Sequence, residues 1–158
     1  MPAPLPPLKW TRLYSVGHPA LDAQHRKLFV LINDLVGLQQ ADDTAKRQAV
    51  IDTLPKLGKY AERHFKSEEL LMARAHADNL DAHREKHAAL LAQVQQLQRD
   101  IDKGKQPPFH ELLLFLRYWL AEHILVTDKR YAPAMAKLLI DGELSEAAAE
   151  QAAEAELW

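Results

Sequence analysis

The segments His64-Phe-Lys-Ser-Glu68 and His83-Arg-Glu-Lys-His87 each place two metal-ligating side chains four residues apart. A helix turns about 100° per residue, so residues four apart lie only about 40° from each other on its surface. Apolar residues recur at helical spacing around both segments, which places the two pairs on the faces that the helices bury. A buried imidazole or carboxylate is unfavourable without a partner, and a bound metal ion satisfies all four groups at once.

Two further predicted helices supply the rest of the candidate ligand set. His25 lies on the apolar face of a helix that starts near Pro19, and His123 lies on the apolar face of the fourth predicted helix. Asp128 follows His123 by five residues, which on a regular helix is the wrong side. Both can reach one centre only if the backbone between them is irregular, so we predict an irregular segment at about residues 124–127.

The candidate ligands are too numerous for one metal ion and about right for two. Imidazole and carboxylate suit iron, but they also bind zinc and manganese, so the spacing specifies a dinuclear site better than it specifies the metal. The predicted metal ligands are His25, His64, Glu68, His83, His87, His123 and Asp128.

Four other residues of ligand type receive a different interpretation. His18, His76 and His110 fall outside the apolar stripes and are predicted to be surface residues. Glu69 turns away from His64 on its helix and is predicted to be a solvated carboxylate.

The composition is that of an ordinary soluble domain. The chain has 158 residues, of which 47% are hydrophobic and 27% charged, so it fits one domain with a real core. A net charge of -2 with both signs interspersed gives no basis for binding nucleic acid or an anionic membrane. No apolar run is long enough to cross a bilayer, and the first residues do not resemble a secretory signal, so we expect a cytoplasmic protein. The absence of cysteine excludes disulfides, iron–sulfur clusters and thiolate zinc sites.

The helical patterns predict an all-α fold, an up-down-up-down four-helix bundle. Residues 1–18 are proline-rich and read as an extended N-terminal arm, whose Trp10, Leu13, Tyr14 and Val16 are apolar enough to pack on the bundle. The predicted bundle covers residues 19–132, and residues 133–158 form a predicted C-terminal helical extension.

The second helix of the bundle contains a proline. Thr44 is its predicted N-cap, and its apolar stripe runs to about Ala75. Pro55 lies inside the stripe, where a proline kinks a helix or divides it in two, and we favour the kink.

Taken together, the motifs resemble a bacterial hemerythrin. The resemblance covers roughly residues 10–132, and all of the candidate ligands match the family pattern with their spacings. It is carried by Trp10, Val16-Gly17, Leu21-Asp22-x-Gln24-His25, His64-Phe65-x-x-Glu68-Glu69-x-x-Met72, His83-x-x-x-His87 and Trp119-Leu120-x-x-His123-Ile124-x-x-x-Asp128-x-x-Tyr131.

This resemblance implies a non-haem di-iron centre, with two iron ions as the cofactor. The implied ligand groups are His83, His87 and His123 on one iron, His25 and His64 on the other, and a bridge of Glu68, Asp128 and an oxo or hydroxo group. Such a set leaves one open position, on the iron with two histidines. By their places in the motifs, the residues that would wall this position are Leu28, Phe65, Trp119, Leu120 and Ile124, all of which also suit plain core packing.

The leading functional hypothesis is reversible dioxygen binding for storage, delivery or sensing, which is not an enzymatic activity. One alternative is a di-iron oxidase or peroxidase that uses the same ligands with a leakier pocket. A third is a sensor module that reports oxygen or redox state through residues 133–158, which end in Leu157-Trp158. That extension is also where we expect a protein partner or self-association, although a solvated helix packing on its own bundle is the simpler interpretation.

Overall fold

The computed structural model describes residues 2–140, and every regular element in that range is helical. Helix α1 packs against α2 and α4, and α2 also packs against α3, so the helices surround one shared core. The predicted all-α, up-down-up-down four-helix bundle is confirmed. The helices are α1 (Pro19–Val36), α2 (Asp43–Arg74), α3 (Leu80–Asp102), α4 (Phe109–Glu122) and α5 (Ala132–Ile140).

The start of α2 is fixed by a side chain two residues before the predicted cap. Asp42 is the N-cap residue, and its carboxylate accepts a hydrogen bond from the backbone N–H of Ala45 at 2.8 Å. The prediction of Thr44 as the N-cap is therefore wrong. An aspartate at this position both satisfies a free N–H group and places negative charge at the positive end of the helix dipole.

Helix α2 continues without interruption through Pro55, so the alternative of two separate helices is wrong. Pro55 lies on the exposed face of the helix, where water can solvate the carbonyl group of Ile51 that proline leaves without a donor. A bend at this point stays a prediction.

Between α4 and α5 the backbone departs from the α-helix, as the spacing of two candidate ligands predicted. His123–Thr127 form a π-helical turn, and Asp128–Tyr131 form a 3-10 turn. The backbone N–H of Asp128 donates to the carbonyl oxygen of His123, five residues earlier. A π turn brings residues five apart onto one face, so the predicted irregular segment is confirmed.

Amide side chains hold the N-terminal arm against the bundle. Gln39 Oε1 accepts from the backbone N–H of Leu5 at 2.7 Å, and its Nε2 donates to the carbonyl of Leu5 at 2.8 Å. Asn33 forms the same reciprocal pair with the backbone of Leu8, at 2.7 and 2.9 Å. These pairs satisfy backbone groups of a proline-rich segment that forms no ladder of its own.

The end of the arm packs much as its apolar residues predicted. Trp10 and Tyr14 both lie in aromatic contact with Phe29 of α1, at ring-centroid distances of 5.5 and 4.9 Å. Val16 is fully buried. Leu13 is the exception, because its side chain is 73% exposed on a 3-10 turn, and its predicted packing is wrong.

The C-terminal extension begins with α5, which packs against α2 and buries Met135 and Leu138. Residues 141–158, including the predicted Leu157-Trp158 end, lie outside the described residues. The division of the chain at residues 18 and 132 stays a prediction. Within residues 2–140, no helix combines the length and the apolar character that a membrane span requires.

Replacing Pro55 with alanine is expected to stabilise the protein by about 1–3 kcal/mol. The exposed proline removes a helical hydrogen bond, and alanine restores it without creating a new contact. Denaturant unfolding followed by circular dichroism measures the change. As a control, Pro55→Gly should fall between the alanine variant and wild type, because glycine is about 1 kcal/mol less favourable than alanine in a helix. An alanine variant less stable than wild type would contradict this account of α2.

Candidate metal centre

The structure brings all of the predicted ligands together in the interior of the bundle, and all are buried. Their ligand atoms form two groups, and within each group the atoms lie within 4.8 Å of one another. Glu68 and Asp128 belong to both groups. The first group is Glu68, His83, His87, His123 and Asp128, and the second is His25, His64, Glu68 and Asp128.

Glu68 directs its two oxygen atoms at different histidines. Its Oε1 lies 2.6 Å from His83 Nε2 and 3.0 Å from His87 Nε2. Its Oε2 lies 3.2 Å from His64 Nε2 and 3.5 Å from His25 Nε2. One carboxylate therefore faces imidazoles of both groups, one oxygen atom toward each.

Asp128 divides its oxygen atoms in the same way. Its Oδ1 lies 3.1 Å from His83 Nε2 and 3.0 Å from His123 Nε2, and its Oδ2 lies 3.1 Å from His25 Nε2. The π turn after α4 makes this possible, because it rotates Asp128 onto the face that carries His123.

The ligand atoms point toward a common region of the core, and several of them have no hydrogen-bond partner among the described residues. Both oxygens of Asp128 and the Nε2 atoms of His25 and His64 make no hydrogen bond of normal geometry with any described residue. The Nε2 atoms of His87 and His123 lie 3.2 Å apart, so a hydrogen bond between them requires a proton on one of the two nitrogens. Buried nitrogen and oxygen atoms that converge in this way fit a metal centre, and the donor types suit a borderline-hard ion such as iron.

The electrostatics of the cluster favour bound cations. Burial raises the pKa of Glu68, but the surrounding imidazoles, His64 first, outweigh it and hold that pKa well below its usual value. Burial and the charge of Glu68 raise the pKa of Asp128, but His123 and His25 outweigh them and lower it. Both carboxylates are therefore ionised inside the core, where negative charge needs a positive partner.

The same carboxylates act on two of the histidines. Burial lowers the pKa of His25 and of His83, but contacts with Asp128 and Glu68 outweigh it and raise each pKa to about 9. For His64, burial wins and its pKa is lowered. The interior thus attracts positive charge where the two carboxylates lie between the imidazoles.

Two of the imidazoles and one carboxylate are oriented by neighbouring side chains. Gln24 Oε1 lies 2.5 Å from His64 Nδ1, and the Tyr131 hydroxyl donates to Glu68 Oε2 at 2.8 Å. Glu69 Oε2 lies 2.8 Å from His87 Nδ1. Acceptors for the imidazole N–H groups are general at histidine metal sites, but the sequence pattern did not indicate which residues supply them.

The interpretation of Glu69 as a solvated carboxylate is therefore wrong. Its side chain is 21% exposed and contacts both His87 and Arg84 of α3. Glu69 does turn away from His64, but it turns toward the neighbouring helix, and the periodicity of α2 alone does not show where that helix lies.

The prediction of His18 as a surface residue is also wrong. His18 is fully buried at the N-cap of α1, and both of its ring nitrogens make no hydrogen bond with the described residues. It precedes His25 by seven residues, which places both on the same face of α1. His76 is exposed, as predicted, whereas His110 is half-buried.

Apolar residues surround the cluster. Phe65 stacks on His87 with a ring-centroid distance of 3.8 Å and an interplanar angle of 8°, and Trp119 lies 6.2 Å from Phe65. The residues predicted to wall the open position are all buried: Leu28, Phe65, Trp119, Leu120 and Ile124. Their role as a dioxygen pocket stays a prediction.

Known proteins with similar sequences point to one family. The model of the hemerythrin HHE cation-binding domain matches residues 16–135. A bacteriohemerythrin of Clostridium acetobutylicum is 30% identical over 124 residues, which cover 77% of this chain and 96% of the relative. A myohemerythrin of Theromyzon tessulatum is 31% identical over 126 residues, covering 79% of this chain and 91% of the relative.

The fold is also similar to that of a solved hemerythrin. A crystal structure of wild-type hemerythrin superposes with a TM-score of 0.74 and 28% sequence identity, covering 82% of this chain and 98% of the solved one. The matched region includes the four helices of the bundle and every member of the buried His/Glu/Asp cluster. The chain is thus a member of the hemerythrin HHE cation-binding domain family.

Proposed function

We propose that this protein binds dioxygen reversibly at a non-haem di-iron centre. The observation that carries the proposal is the division of oxygen atoms within the two buried carboxylates. Glu68 and Asp128 each present one oxygen to the three-histidine group and the other to the two-histidine group. A single ion needs only one of these faces, whereas two ions side by side use both.

The proposed ligands follow from the two groups. His83, His87 and His123 would hold one iron, and His25 and His64 would hold the other. Glu68, Asp128 and a solvent-derived oxo or hydroxo group would bridge them. If both irons were six-coordinate, this ligand set would leave one position open, on the iron with two histidines. A single open position on one ion suits a small diatomic ligand.

The proposal assigns roles to the residues that contact the ligands and to the apolar residues around them. Two ferrous ions would supply electrons to dioxygen on binding and would take the same electrons back on release. The hydroxyl of Tyr131 orients Glu68 through its hydrogen bond to Oε2. Gln24 fixes the ring of His64. The buried apolar walls exclude water, and with it the protons that would convert bound oxygen irreversibly.

Burial of these walls also bears on the alternative of an oxidase or peroxidase. An enzyme of that kind needs access for protons or a reducing substrate, whereas the five wall residues are at most 5% exposed. A surface cavity of about 460 Å³ reaches Trp119 but, of the proposed ligands, only His123, which belongs to the three-histidine group and not to the group proposed to carry the open position. We therefore favour binding over turnover. Storage, delivery and local sensing would all use this same step.

The optical spectrum of the iron-loaded protein tests the proposal. After anaerobic reduction, exposure to air should produce a visible charge-transfer band, and flushing with argon should remove it over repeated cycles. Rapid conversion to a ferric form with release of hydrogen peroxide would contradict reversible binding and favour the oxidase. Zinc or manganese in the natively purified protein would contradict the choice of metal.

Replacing His123 with alanine is expected to lower the iron content below two ions per chain, because it removes one neutral ligand from the three-histidine group. Metal analysis after iron loading measures the content. His110→Ala is the matched control, since His110 is a half-buried histidine near the start of α4, the helix that leads into the π turn with His123, and it lies outside the cluster. Retention of two irons by the His123 variant would count against the assignment.

A further inference from the structure

The ring of His87 is held from both sides. Its Nε2 faces the cluster, 3.0 Å from Glu68 Oε1, and its Nδ1 lies 2.8 Å from Glu69 Oε2. An imidazole binds a metal through a nitrogen without a proton, so Nε2 as the ligand atom leaves the proton on Nδ1. The Nδ1–H group of His87 then donates a charge-assisted hydrogen bond to the carboxylate of Glu69.

Glu69 is itself fixed in place. It follows the bridging candidate Glu68 on α2, and its second oxygen, Oε1, accepts from Arg84 Nε of α3 at 3.2 Å. The carboxylate is 21% exposed and the arginine 50% exposed, so the pair lies at the edge of the core. Because one oxygen is used by each partner, the carboxylate cannot rotate without losing a contact.

Three of the other cluster histidines have different surroundings. The Nδ1 of His64 faces the neutral amide of Gln24, and the Nδ1 atoms of His25 and His83 make no hydrogen bond with the described residues. His87, a member of the three-histidine group, has a carboxylate at its Nδ1 atom. The two ligand groups are therefore asymmetric.

We propose that Glu69 is a positioning residue that tunes the redox behaviour of the metal in the three-histidine group. A carboxylate that accepts the Nδ1 proton makes the imidazole a stronger electron donor and so stabilises the more oxidised ion. This inference rests on the proposed di-iron function. It implies that the two irons differ in how readily they are oxidised, and that Glu69 shifts the balance between oxygen affinity and loss of the ferrous form.

The variant Glu69→Gln tests this role in the iron-loaded protein. Glutamine keeps the size and an acceptor oxygen but removes the charge, so the equilibrium between ferrous and ferric forms should shift about tenfold toward ferrous. For a one-electron couple this equals about 59 mV in the positive direction, measured by redox titration. In proton NMR spectra of the ferrous protein, the signal of the exchangeable Nδ1 proton of His87 should also change its chemical shift.

Glu62→Gln is the matched control. It removes the same charge from the same helix, and Glu62 is 53% exposed and pairs with Lys66 at 3.5 Å, away from the cluster. This variant should leave both the potential and the His87 signal unchanged. An equal shift in both variants would overturn the inference, because bulk charge would then explain the effect. Glu69→Asp keeps the charge and should remain closer to wild type than Glu69→Gln does.

The outcomes also separate this inference from the proposed function. If wild type holds two irons and oxygenates reversibly while Glu69→Gln keeps the wild-type potential, only the role of Glu69 is overturned. A wild-type chain without a di-iron centre overturns both. If Glu69→Gln loses its metal, Glu69→Asp decides. A shift of about 59 mV in the potential of Glu69→Asp, despite the retained charge, would contradict electronic tuning.

Discussion

The centre of this protein depends on two ionised carboxylates buried in an apolar bundle. Glu68 and Asp128 are fully buried, and each is surrounded by imidazole nitrogens. Such charges are very unfavourable in a core unless positive partners surround them. Each of the four bundle helices, or the turn that follows it, contributes at least one residue to the two groups. Bound cations at this point would therefore join all four helices and couple metal binding to folding.

The same constraint explains the unusual backbone after α4. A regular α-helix would carry Asp128 away from His123, whereas the π turn returns it to the cluster, and the 3-10 turn that follows contains Tyr131. The chain thus departs from regular helix geometry where two ligands five residues apart must face one centre. As a result, Asp128 lies in both ligand groups, and the hydroxyl of Tyr131 donates to Glu68.

Sequence periodicity predicted most of the architecture because it reports which face of a helix is buried. His64 and Glu68, or His83 and His87, share a face whatever the neighbouring helices do. Periodicity does not report what a side chain meets across the gap between two helices. Glu69 contacts α3, and for this reason the periodicity of α2 alone predicts a solvated residue at this position. His18 precedes the first full turn of α1, where the apolar stripe is too short to show its burial.

The count and coupling of metal ions test the central claim most directly. Mössbauer spectroscopy of the iron-loaded wild-type protein, with metal analysis of the same sample, measures both. If Glu68 and Asp128 each span two ions, each chain holds two irons, and in the oxidised protein they form a magnetically coupled pair. A single mononuclear ion per chain, or two ions that behave independently, would contradict the account.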